Sequence, residues 1–85
     1  MDSQDIKALI EQHLPDAQAD VSSMDNVHFE ARIVSAAFSG KRLLARHRLV
    51  HEALDGYLGD AIHALSLKAL LTPEEAQKRT AQDLT

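Results

Sequence analysis

Eighty-five residues suffice for one domain and not for two, and a chain of that size buries only about 60–65% of its unfolded surface. With 45% hydrophobic and 26% charged residues the sequence is globular, and with 4% aromatics its core must come from Leu, Ile, Val and Ala. The lack of cysteine excludes a disulfide scaffold, a thiol nucleophile and a cysteine-ligated zinc finger, while a formal charge of −4 weighs mildly against a nucleic-acid binder.

Residues 3–14 place Ile6, Leu9, Ile10 and His13/Leu14 at spacings of three and four, with Asp2 or Ser3 as N-cap and Pro15 just past the end. This predicts a first amphipathic helix, which His13 closes at the end where the dipole favours positive charge. Residues 17–23 alternate weakly and fit a short edge strand. Ser22 to Asn26 is turn chemistry. From His28 to Ser35 the alternation is clearer, with Phe29, Ala31 and Ile33 on one face, so the pair reads as a hairpin.

After Phe38-Ser39-Gly40 a helix is expected to run to about Leu58, with Leu43, His47, Val50, Leu54, Tyr57 and Leu58 inside an arc of roughly 100° facing a core. Gly56 and Gly59 mark its end. Four of the nine Lys and Arg residues fall in Lys41–Arg48, with no acid among them. Lys41 and Arg48 project to one side of the arc, and Arg42 and Arg46 to the other, so the cations form a collar around the helix start. Ile62 to Leu71 reads as a strand with His63, Leu65, Leu67, Ala69 and Leu71 on one face. Thr72, Pro73 and Glu75 then supply N-cap, N1 and N3 of a final helix with a capping box, and the tail from Thr80 onward is expected to fray. The order is helix, strand, strand, helix, strand, helix, an α+β arrangement in a single domain covering 1–85. No apolar run approaches the ~18 residues of a membrane span, and the polar, acidic start Met1–Asp5 lacks a targeting pattern. A cytoplasmic protein is expected.

At Phe38-Ser39-Gly40-Lys41, Arg46-His47-Arg48-Leu49-Val50 and Ile62-His63-Ala64-Leu65-Ser66 the sequence resembles the BolA family, in particular its IbaG-like branch. The three blocks stand in the family's order and separation, and the likeness runs from the first helix to Thr72-Pro73. The resemblance implies a three-stranded mixed sheet with helices packed on one face, similar to a class II KH domain. It also implies an adaptor, not an enzyme. Such proteins pair with a monothiol glutaredoxin and share a 2Fe–2S cluster, in cluster trafficking or in iron, redox and stress regulation. In that assembly the glutaredoxin and a glutathione supply sulfur, and no cofactor is expected in the isolated chain. The BolA-like partner supplies a histidine at the start of its last strand, matching His63, and a second ligand can come from the hairpin region, matching His28. The chain departs from the family's usual pattern at His51, where tyrosine is common, and at Ala76, where an aromatic often stands. The stretch from His63 to Thr72 is one residue longer than in close relatives, which predicts a bulge or an extended loop.

Without the resemblance, His63 reads first as a strand-end histidine bonded to a backbone carbonyl, and His28 as a solvated histidine beside a turn. His47 and His51 have the spacing of a metal clip, but His47 lies in the apolar arc and Arg48 stands where a metalloprotease motif needs Glu, so a hydrogen-bonded core histidine is the expectation there. The collar of Gly40, Lys41, Arg42, Arg46 and Arg48 is the candidate for binding a protein partner or nucleic acid. Gly40-Lys41-Arg42-Leu43 keeps only the first glycine of a phosphate-approaching G-x-x-G loop. The resemblance also implies a second hypothesis, since BolA-like proteins are associated with transcriptional regulation: a KH-like regulator that contacts DNA phosphates through the collar. No nucleophile elbow, P-loop or paired-carboxylate site supports an enzyme.

Overall fold

The computed structural model describes residues 2–56 and 64–83. A first helix, α1, spans Ser3–His13 and begins in a capping box: the Asp5 N–H donates to Asp2 Oδ1 at 3.0 Å and the Asp2 N–H to Asp5 Oδ2 at 3.2 Å. Pro15 forces extended backbone on Leu14, which ends the helix. Ile6, Ile10 and Leu14 are buried as one stripe.

Strands β1 (Gln18–Ser22) and β2 (His28–Val34) form the antiparallel hairpin, registered from Gln18 opposite Val34 to Ser22 opposite Glu30. β1 lies at the edge of the sheet. Two side chains from α1 occupy the outer edge of that strand. Lys7 Nζ donates to the Ala19 carbonyl at 2.7 Å, and Glu11 Oε2 accepts the Ala19 N–H at 3.0 Å and Lys7 Nζ at 2.7 Å. The free edge is thereby closed at Ala19 to pairing with another strand, and the Lys7 contact holds the Glu11 carboxyl below its ordinary range.

The crossover from β2 contains a short 3-10 turn, Ala36–Phe38, and helix α2, Leu43–Ala53. Strand β3 (Ala64–Leu71) then pairs parallel to β2, giving a mixed sheet of order β1-β2-β3. Ala19, Val21, Phe29, Ala31, Ile33 and Leu70 meet Ile6, Ile10, Phe38, Val50 and Leu54 in one core. The opposite sheet face carries the exposed Asp20, His28, Glu30 and Arg32. The final helix α3, Pro73–Asp83, starts at the expected capping box, with the Glu75 N–H on Thr72 Oγ1 (3.2 Å) and the Thr72 N–H on Glu75 Oε1 (2.9 Å).

Two expectations are corrected. The helix forecast to reach about Leu58 ends at Ala53, where Leu54–Gly56 form a turn and Gly56 takes φ +88°, a conformation that glycine adopts without strain. Leu43, placed by its periodicity in the buried arc, is 62% exposed, because the core covers only the later turns of α2, at Val50 and Leu54. The second correction concerns β3. Ala31 pairs with Leu67 but Arg32 pairs with Ala69, so Lys68 is the extra residue of a bulge. The bulge accords with the longer stretch noted before Thr72. It also reverses parity: Leu70, not Ala69 or Leu71, shares the inner face with Leu65 and Leu67. Tyr57, Leu58, Gly59, Ile62 and His63 lie outside the described residues, as do 84–85 at the tail.

Candidate functional site

The β1–β2 turn is organised by one carboxylate. Asp25 Oδ1 accepts the N–H of Val27 at 3.0 Å and of His28 at 2.9 Å, while Ser23 Oγ accepts the Asn26 N–H at 3.0 Å and donates to the His28 carbonyl. Asn26 takes the left-handed conformation, φ 58°, which its short polar side chain tolerates. The second carboxylate oxygen, Oδ2, stands 2.9 Å from His28 Nδ1. That contact, reinforced by the two backbone N–H groups, pushes the Asp25 pKa far below the ordinary carboxylate range. The His28 imidazole, 75% exposed, projects at the head of β2 into a cavity of about 380 Å³ lined by Ser22, Ser23, Met24, Asp25, His28 and Glu30. Met24 and Val27 beside it are exposed hydrophobic residues.

Sequence reasoning recognised the turn chemistry but missed the pairing of Asp25 with His28. The signal was present: an Asp three residues ahead of a His, inside a turn where the carboxylate must face its own following backbone. His63, the other proposed ligand, lies outside the described residues. It is bonded to Ala64, and Ala64 is the register partner of His28. Among the described residues no group of three or more His, Asp or Glu stands together to hold a metal ion.

The collar divides. Lys41, Arg42 and Arg48 are exposed, the first two directly after Gly40, which takes φ +75°. Arg46, grouped with them from sequence, is only 12% exposed and its guanidinium is used within the fold. Nε donates to the Lys41 carbonyl at 2.9 Å, Nη1 donates to the Leu70 carbonyl at 2.8 Å and to Glu75 Oε1 at 2.6 Å, and the group lies 5.9 Å from the Phe38 ring centroid. Its periodicity on α2 placed it beside the other cations, but the side chain reaches across to the end of β3 and the start of α3. Its partner Glu75 is held down to about 2, first by Arg46 and then by the Thr72 N–H.

On the outer side of α2, Leu43, Leu44, His47, Arg48, His51 and Glu52 line an open depression of about 680 Å³, with Leu43 and Leu44 both largely exposed. His47 is half-buried at this outer face and makes no side-chain hydrogen bond among the described residues, so the hydrogen-bonded core histidine expected there is not found.

The profile of the BolA family, described as BolA-like protein, matches residues 4–75. Protein BOLA2 of Arabidopsis thaliana is 46% identical over 56 residues, 66% of this chain and 59% of that protein. The DNA-binding transcriptional regulator BolA of Vibrio cholerae is 42% identical over 62 residues, again 66% of this chain and 58% of that protein. The chain thus spans somewhat more than half the length of these curated relatives. Among solved structures, a bolA protein homologue from Coxiella burnetii superposes with a TM-score of 0.80 at 40% identity, covering 91% of this chain and 97% of that one.

Proposed function

The chain belongs to the BolA-like family, and on that premise we propose that it is an adaptor, not an enzyme, that pairs with a monothiol glutaredoxin and lends histidine ligation to a shared 2Fe–2S cluster. The observation that carries this reading is the head of β2. His28 is exposed there, its Nδ1 is engaged by a carboxylate, and it stands one strand spacing from Ala64, to which His63 is joined by one peptide link. The donor set fits the group in kind. Neutral imidazole is a good iron ligand, and a ligand histidine commonly has its other ring nitrogen on a carboxylate. With no cysteine in the sequence, sulfur ligands must come from the glutaredoxin and its glutathione. When bound, such a cluster supplies iron–sulfur transfer and redox chemistry, with histidine raising its potential and coupling ligation to protons. The chain's own residues do the rest: His28 and His63 donate nitrogen, Asp25 holds the turn, and Met24 and Val27 offer apolar surface beside the site. Anaerobic mixing with a monothiol glutaredoxin, iron, sulfide and glutathione tests it by visible circular dichroism. A spectrum distinct from the glutaredoxin homodimer's, lost in His63→Ala and altered in His28→Ala, is expected. Identity with the glutaredoxin spectrum refutes the ligand role.

A second reading is favoured by the three exposed cations Lys41, Arg42 and Arg48, the first two following the left-handed Gly40, and by the Vibrio cholerae relative named as a DNA-binding regulator. With Arg46 occupied, three phosphate contacts on duplex DNA give a log–log salt slope of about −2.7. A flat salt response, or no binding at low salt, removes this reading.

A further inference from the structure

We propose that Asp25 is a positioning residue that keeps the neutral imidazole of His28 protonated on Nδ1 and so presents a bare Nε2 as the ligand nitrogen; this deepens, and rests on, the reading of His28 as a cluster ligand. An ionised carboxylate can only accept. A neutral imidazole 2.9 Å from Asp25 Oδ2 must therefore place its proton on Nδ1, which leaves the lone pair on Nε2. The carboxylate has no freedom to offer its other oxygen, because Oδ1 is taken by the N–H groups of Val27 and His28. Both of these belong to the same turn, which Ser23 and the left-handed Asn26 also brace. The ring itself is 75% exposed, so packing does little to orient it, and the bond to Oδ2 is its one side-chain hydrogen bond among the described residues. Orientation and tautomer of this imidazole are thus both set by the turn that precedes it.

The isosteric change Asp25→Asn exposes the dependence. The two backbone donors retain an oxygen at the Oδ1 position, so the amide nitrogen must occupy the place of Oδ2. There it can only donate. Nδ1 becomes an acceptor, the proton moves to Nε2, and the nitrogen that should face the metal loses its lone pair while the turn keeps its shape.

The test uses the full chain with histidine labelled in 15N, read by long-range proton–nitrogen correlation, which reports the protonation of each ring nitrogen separately. In wild type, His28 should show a protonated-type Nδ1 and a bare-type Nε2. In Asp25→Asn the two should exchange, with the backbone amide spectrum of the sheet unchanged. A protonated Nε2 in wild type, or the same tautomer in both proteins, overturns the proposal without reference to any cluster. The heterodimer cluster, reconstituted with a monothiol glutaredoxin, is the second readout, and Asp25→Asn should shift its circular dichroism as His28→Ala does. If His28→Ala alters the spectrum and Asp25→Asn does not, the positioning role is overturned. If neither does while the tautomer reverses in the free chain, ligation by His28 fails and the proposal fails with it, though the orientation of the ring by Asp25 stands.

Discussion

Replacing Arg46 by alanine should cost far more stability than replacing any exposed cation of the collar. Its guanidinium hydrogen-bonds the half-buried Leu70 carbonyl at 2.8 Å and lies 5.9 Å from the Phe38 ring centroid, with the side chain only 12% exposed. A hydrogen bond to a charged group contributes about 1.5–3 kcal/mol, and a cation–π contact about 0.5–1 kcal/mol at an accessible site. Loss of both therefore predicts about 2–4 kcal/mol. For a domain of this length that lowers the melting temperature by about 8–32 °C. Lys41→Ala, Arg42→Ala and Arg48→Ala, at exposed positions, should stay within about 0.5 kcal/mol of wild type. Urea unfolding of the four variants, with the slope checked for constancy, measures the difference. An Arg46→Ala midpoint indistinguishable from that of Arg48→Ala would refute the assignment of Arg46 to the fold.

Two further outcomes are expected, one at the partner of Arg46 and one at the β3 bulge. The Glu75 carboxyl is held at about 2 against an ordinary 4.5 by Arg46 and the Thr72 N–H, so its folded pKa lies below its unfolded one. Its contribution is complete above the ordinary value and is lost as pH falls from about 4.5 towards 2; Glu75→Gln should be less stable than wild type at neutral pH, with the gap closing across that window in urea titrations. Deletion of Lys68 removes the bulge residue yet keeps Leu65, Leu67 and Leu70 on the inner face. It should preserve the fold by amide spectra and melt within about 5 °C of wild type, a change of roughly 1 kcal/mol.

Much of this architecture is legible in the sequence where local chemistry and burial agree. The alternation of Phe29, Ala31 and Ile33, the four-residue spacing of Ile6, Ile10 and Leu14, and the Thr72–Glu75 box each point the same way as the tertiary structure. The failures have a common cause. Periodicity assumes one straight element with one covered side. Leu43 breaks the assumption because the core covers the later turns of α2 and not its first, and Ala69 and Leu71 break it because Lys68 shifts the register. Arg46 could not be separated from Arg42 and Arg48 by spacing, since its partners lie 24 and 29 residues further along the chain. At the site, His28 was visible as a residue type in a turn, whereas the fixed carboxylate behind it became apparent only from the geometry of that turn.

Whether this chain binds iron through histidine is decided by nitrogen hyperfine spectroscopy on the reduced heterodimer cluster, with histidine labelled in 15N in this chain alone and the glutaredoxin left unlabelled. Histidine ligation gives strong couplings that change from 14N to 15N with the label and are lost in His63→Ala. A cluster whose spectrum is indifferent to the label would contradict it, because no histidine of this chain would then be bound to iron.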